Sequence, residues 1–448
     1  MLESEILLEV PGSVARADPA PVRLPAPPKT VRDTGLDQRM LIDLVAKSVS
    51  QLGKAHLPVL GGQLRLPVGV LREVLDAMQA ERLVETTWRG ETDLDIQYQL
   101  TMGGKQHAAE CLARCRYTGP APVTLSSYGE LLERQSARGV ADERLGAAEI
   151  EAAFADDFLA RSVRDLIGAA MHAGRSLLLH GAPGSGKTTL ARKLGRLQKG
   201  VIAVPYALVV EHQIVQLYDP AIHLAPSPVQ ARLLGERRAV DSRWAMCRRP
   251  VVLVGAQLDA DTLEMRRDDV SGVLHAPAQM QANGGMLVVD DLGSQRGSPG
   301  DIVARLACAR AAGFDQVVMH GSHKLNIPFD AMTVFATNRD PRTLLDEAQM
   351  RRIDYKVHVG ALGEPGYRQL FRQQCRVLGL ACDEAALDHL VGSLHARTRK
   401  PMLASYPREL IARIAEFASY AGAEPRLTAA ALDQAWSSMF AATTSAEV

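Results

Sequence analysis

Nine consecutive residues carry the clearest chemistry in the chain: Gly181, Ala182, Pro183, Gly184, Ser185, Gly186, Lys187, Thr188 and Thr189. The first eight keep the spacing G-x-x-x-x-G-K-[ST], in which glycines let backbone N–H groups turn toward phosphate oxygens and the lysine adds a point charge. That is chemistry for gripping a triphosphate, with the hydroxyl of Thr188 directed at Mg²⁺. Further along, Gly284-Gly285-Met286-Leu287-Val288-Val289 ends in two carboxylates. Asp290 is suited to hold Mg²⁺ through water and Asp291 to act as general base on an attacking water. A third apolar run, from Thr333, ends in Thr337-Asn338-Arg339-Asp340, where the Asn338 amide can orient that water. Two arginine sites follow. Arg351-Arg352 ends the helical stretch LLDEAQM, and Tyr406-Pro407-Arg408 opens another helix. Taken alone, an arginine pair at a helix end is an ordinary solvated charge.

These groups must be placed by strands and helices, and the pattern supplies them. Leu177 to His180 reads as an apolar strand feeding the glycine-rich turn, and the helical TTLARKLG follows it. Helix and apolar strand alternate from about residue 151 to 360, which predicts an α/β domain with a parallel sheet. Residues 361–448 carry only helical patterns. Ahead of the α/β region, residues 37–116 read as helix, turn, helix and a two-stranded β unit, LVETTW and DIQYQL, then a closing helix. Residues 1–36 are rich in Pro and Ala and read as a mobile arm, while 117–150 has the Pro and Gly content of a connector. Pro205 to Pro250 fits a minimal core least well. Within it, Asp219 and His223 read as a turn with a satisfied histidine, and Arg248 and Arg249 have no assigned role.

Composition narrows the classes further. Lys plus Arg equals Asp plus Glu, 51 against 51, so no global field draws the chain to nucleic acid or anionic lipid. Aromatics make up 4%, which suits Ala- and Leu-rich helices. The six cysteines, among them Cys111 and Cys115 on one expected helix, show no ligand set at zinc spacing. No run of apolar residues is long enough to span a membrane and no leader pattern opens the chain, so a reduced, cytoplasmic protein is expected.

In their order these motifs resemble an AAA+ ATPase over residues 150 to 440, with an α/β P-loop core and an all-α lid. The resemblance implies that Asn338 is sensor 1, Arg408 sensor 2, and Arg352 the finger that reaches a neighbour's nucleotide, with Arg351 as the alternative. Asp291 stands where the family usually has Glu. The approach HAPAQMQANGGMLVVDD is similar to that of MoxR-like ATPases and enhancer-binding activators, in which a hairpin precedes sensor 1, and Phe314 to Asn326 fits that hairpin. A finger acts only on another subunit's γ-phosphate, so a ring is implied, expected to be hexameric, with ATP and Mg²⁺ as cofactors. Arg305 and Arg310 are further interface candidates.

The N-terminal unit resembles a winged helix. Its expected recognition helix, PVGVLREVLDAMQAERL, offsets Arg72 and Arg82 with Glu73, Asp76 and Glu81, a poor footprint for phosphates. A motor acting on a protein client is therefore the first expectation. A DNA-associated ATPase touching duplex through Arg65, Arg89 and Lys105 is the second, and a slow nucleotide switch the third.

Overall fold

Leu177–Leu179, Met286–Val289 and Met332–Thr337 are buried along their whole length, as strands covered on both faces must be. They are the centre of a five-stranded, wholly parallel sheet. The structure, a computed structural model, describes residues 25–440 apart from 93–94, 137–143, 229, 231–239, 257, 259 and 320–323. Among the described residues no helix is long and apolar enough to cross a membrane.

The N-terminal unit runs α1 (Gln38–Leu52), β1 (Lys54–His56), α2 (Leu57–Leu64), α3 (Val68–Ala80), β2 (Val84–Arg89), β3 (Ile96–Leu100) and α4 (Met102–Arg114), with a small sheet ordered β1-β3-β2. Asp37 caps α1 by accepting from the Arg39 amide, and Thr101 caps α4 through Gly104 N. The sequence pattern missed β1 and α2. With Pro58, Gly61 and Gly62, α2 reads as a turn, yet Leu57, Leu60 and Leu64 are fully buried and hold it helical.

Two segments expected to be loose are packed. The arm reading for residues 1–24 lies outside the described residues, but Val31, Thr34 and Leu36 are buried against the N-terminal core. The connector likewise contributes Tyr117, Ala121, Val123, Tyr128, Leu131 and Leu132 to the interior, through β4 (Val123–Thr124) and α5 (Leu125–Arg134). Their Pro and Gly content shaped turns without preventing burial.

Next come α6 (Ala147–Ala153), α7 (Arg161–Ala173), β5 (Leu177–His180) and α8 (Lys187–Arg196). The troublesome stretch after them is β6 (Val201–Pro205), β7 (Ala207–Val210), β8 (Gln213–Gln216) and β9 (Trp244–Arg248). The chain rejoins the main sheet at β10 (Val251–Val254), then adds β11 (Arg266–Arg267), β12 (Leu274–His275), β13 (Met286–Val289), β14 (Phe314–Val318), β15 (Lys324–Pro328), β16 (Met332–Thr337) and β17 (Tyr355–His358). The main sheet is ordered β10-β13-β16-β5-β17, and a second, mixed sheet β11-β12-β8-β7-β4. β6 with β9 and β14 with β15 form antiparallel pairs, the second being the hairpin expected before Asn338, its tip outside the described residues. A separate helical core, built on Tyr367, Phe371, Leu390, Leu410 and Trp436, forms the C-terminal region.

One buried ion pair joins the N-terminal segment to the inserted strands. Arg243 grips Asp241 with Nη2 to Oδ2 at 2.8 Å and Nε to both oxygens, while Nη1 donates to the carbonyls of Pro122 and Thr34. The Asp241 amide donates to Pro25 O. With the two side chains only 6% and 2% exposed, losing one partner would strand the other charge at a cost of about 3–5 kcal/mol. Arg243→Ala is therefore expected to lower the first urea transition, followed by tryptophan fluorescence, by that amount, and Arg243→Met with Asp241→Leu to recover most of it. An unshifted midpoint for Arg243→Ala would show that the pair does not hold these segments.

Candidate nucleotide site

At the carboxyl end of β5 the chain turns sharply enough that side chains are excluded. Gly181 has φ +151°, and a Cβ there would stand 2.2 Å from Val359 O; Gly184 has φ +80°, and its Cβ would stand 2.5 Å from Ser405 Oγ. The loop is thus pressed between β17 and the helix Tyr406–Tyr420, with Ser405 N donating to Gly184 O at 3.0 Å. The cradle requires these glycines.

Lys187 is the first residue of α8 and is buried, its ammonium donating to Ala182 O at 2.8 Å, Gly181 O at 3.0 Å and Ser185 Oγ at 3.3 Å. Burial pulls its pKa below the usual lysine value, while Asp290 and Asp291 act to raise it. Thr188 Oγ1 donates to Asp290 Oδ1 at 3.1 Å across the ends of β5 and β13. Two hard oxygens that close suit one small cation, since cis ligands on Mg²⁺ stand about 2.9 Å apart.

Asp291 adopts φ +51°, a left-handed conformation unusual outside glycine, and Asn338 Nδ2 donates to its Oδ1 at 3.0 Å. A residue that motif reading did not single out fixes this turn. Gln295 donates from Nε2 to Asp290 O and Asp291 O and accepts from Gly293 N at 2.8 Å, while Thr337 Oγ1 donates to Leu292 O. A glutamine four residues past an acidic strand end was the available signal. His180 and His358 were also missed. They end neighbouring strands with ring centroids 5.2 Å apart, and burial, then His358, keeps His180 below the ordinary histidine pKa.

The structure thus gathers Gly181 to Thr189, Asp290, Asp291 and Asn338 at one end of the sheet. Arg408 lies one turn into the helix that abuts the loop, and it is exposed, with no hydrogen bond or ion pair among the described residues. The arginine pair is elsewhere. Tyr355 pairs with Leu177 at the amino end of β5, so Arg351 and Arg352 precede the opposite end of the sheet from the loop. Arg351 is exposed and pairs with Glu347, whereas Arg352 Nη1 donates to Cys308 Sγ at 3.1 Å. Both thus lie at the end of the sheet remote from the phosphate loop of their own chain.

Other candidates resolve into structural roles. Arg305 spends its guanidinium on Asp315, Glu264 and two carbonyls, which corrects its reading as an interface residue. His223 is buried between Asp219 N and Gln281 O, and Arg249 is buried with donors to Lys199 O, Gly284 O and Gln135 O. Cys115 lies just past α4 and is half-buried, but Cys111 does meet possible ligands, with Asp43, His107 and Cys111 placing one atom each within 4.8 Å of one another. Arg114 donates to Cys111 Sγ and buried Lys47 sits beside the cluster, two positive charges that oppose a divalent cation there.

Comparison with known proteins agrees with this geometry. Residues 157–316 match the family described as AAA ATPase domain, and residues 363–438 match a domain of unknown function (DUF8689). No curated protein matches the chain. Among solved structures, NtrX from Brucella abortus in complex with ATP is 15% identical with a TM-score of 0.40, covering 62% of this chain and 55% of that one. The Thermotoga maritima RuvB Holliday junction branch migration motor is 14% identical with a TM-score of 0.35, covering 62% and 70%. The matched region thus spans little more than half of NtrX. Phosphate loop, parallel strand order and family match together give the AAA+ P-loop fold, an α/β core followed by a helical C-terminal region.

Proposed function

We propose that the chain binds ATP with Mg²⁺ in the Gly181–Thr189 loop, hydrolyses it, and works in a self-assembled ring as a motor on a protein client. The observation that carries the reading is the double contact at the carboxyl end of the sheet, Thr188 of α8 with Asp290 and Asn338 with Asp291, beside the buried Lys187. Magnesium, when bound, would neutralise phosphate oxygens. Thr188 and Asp290 would hold it, and Lys187 would exchange its loop carbonyls for phosphate oxygens. Asp291 accepts the proton of the attacking water, and the Asn338 amide holds that carboxylate and the water in line. Because Asp291 is a methylene shorter than Glu, its backbone turn, pinned by Gln295, sets how far it reaches. Arg352 completes a neighbour's site, with Arg351 as the alternative, and Arg408 carries the nucleotide state into the helical lid.

The element order of the N-terminal unit supports reading it as a winged helix. The preceding segment touches the start of its expected recognition helix, α3: Lys29 O stands 3.2 Å from where a Gly69 Cβ would be, and Val31 N donates to Glu73 Oε2 at 2.7 Å, while Asp76, Gln79 and Ala80 stay exposed. Arg65 stacks its guanidinium over Tyr206. Residues 29–31 crowd the amino-terminal turns of α3, and the carboxylates of Glu73 and Asp76 on its exposed face favour a protein contact over DNA.

Steady-state ATP hydrolysis against protein concentration tests the motor. Activity per subunit is expected to rise with assembly, Lys187→Ala to be inactive, and Arg352→Ala to assemble but lose on the order of 10³-fold in turnover. Concentration-independent turnover by a monomer indifferent to Arg351→Ala and Arg352→Ala would leave a nucleotide switch instead. For DNA, fluorescence anisotropy of the full chain with a labelled duplex at low salt is expected to show no salt-dependent binding. A steep salt slope reduced by Arg89→Ala and Lys105→Ala would instead establish the nucleic-acid reading.

A further inference from the structure

A cavity of about 800 Å³ opens at the amino ends of β5, β13 and β16, between Gly174, Gly284 and Met332. It is separated from the phosphate loop by the length of the sheet, four residues in β5 or about 13 Å. Its size lies within the range of small-molecule sites, about 300–1,000 Å³. Six of its lining side chains are cationic, Arg144, Arg175, Lys199, Arg249, Arg310 and Arg352, against Asp330 as the one lining carboxylate among the described residues.

Neighbouring carboxylates meet this charge in part. Asp354 takes Arg310 and, at 3.5 Å, Arg175, while Glu149 takes Lys199. Arg175 remains more than half exposed, and Arg352 spends only Nη1, on Ala304 O and Cys308 Sγ. Both keep N–H donors that face solvent from the cavity wall. A concave site whose wall keeps planar donors on Arg175 and Arg352 selects several phosphate oxygens at once, where a single carboxylate would leave donors unused.

We propose that this cavity binds a polyphosphate group, the phosphate tail of a nucleoside di- or triphosphate. The source proposed is free nucleotide in solution, bound apart from the phosphate loop. Such binding needs no hydrolysis and no assembly. It is measured in the full-length Lys187→Ala chain by calorimetric titration with inorganic tripolyphosphate at low salt. ATP-dependent association of the otherwise wild-type chain, followed by sedimentation, reports separately on the ring reading above.

Charge reversal at the exposed Arg175, Arg175→Glu, is expected to weaken tripolyphosphate binding at least tenfold, and Arg175→Lys to retain it, with both chains folded by circular dichroism. The proposal is overturned if the Lys187→Ala chain binds no tripolyphosphate, whatever reversal does to ATP-dependent association. It is overturned equally if reversal leaves tripolyphosphate binding unchanged. Failure of ATP hydrolysis alone would touch the motor reading and leave the tripolyphosphate result standing.

Discussion

The amide of Ser405 donates to the carbonyl of Gly184, and much of the architecture is arranged around that 3.0 Å contact. It joins the phosphate loop of the α/β core to the first residues of the helix Tyr406–Tyr420, whose Tyr406 packs edge-on against Trp436 and Phe440 in the C-terminal core. Because Gly184 lacks a Cβ, backbone meets backbone with no flexible side chain between them. A phosphate that draws the loop amides toward itself must either stretch this bond or carry the helix with it. The C-terminal helices are wired to the loop by backbone, and a close-packed aromatic core transmits displacement better than it absorbs it.

The parallel sheet gives the molecule two chemically distinct ends. At the carboxyl end stand the loop, the two aspartates, Asn338 and the two histidines. At the amino end stand the cationic cavity and Arg352. A surface built to present triphosphate lies at one end of the sheet and a surface rich in planar cations at the other. A head-to-tail association would bring unlike surfaces together, the heterologous geometry that closes into rings.

What the sequence made legible was local. The phosphate loop, the acidic strand end, the Asn338 strand and the hairpin each occupy a short continuous segment in which spacing reports chemistry directly. The second sheet was not legible, because its five strands come from three distant stretches of chain and three of them, Val123–Thr124, Arg266–Arg267 and Leu274–His275, are two residues long. No periodicity can be read from two residues. Residues 25–36 and 117–136 were misjudged for a related reason. Their Pro and Gly content signals irregular backbone, and irregular backbone was taken for exposed backbone, although Thr34 and Pro122 give their carbonyls to a buried arginine. At the site, Gln295 escaped notice because its work is done on main-chain carbonyls, and a sequence motif records only side-chain types.

That second sheet decides how the N-terminal unit can influence the core. Ala207 and Val273, from the inserted strands, sit inside the N-terminal core itself, while Val215 and Leu274 share an interior with Val317 and Ile327 of the β14–β15 hairpin. The hairpin is then fastened to the helix Pro299–Ala312 by Arg305 on Asp315, and that helix presents Cys308 to Arg352. Packed side chains therefore run without a break from α1 to the arginine that faces away from its own nucleotide site. A tether of loose residues between units would decouple them; a connector buried by Tyr117, Tyr128 and Leu131 does not. The N-terminal unit is therefore joined to the cationic end of the sheet through the packed hairpin rather than through a loose connector.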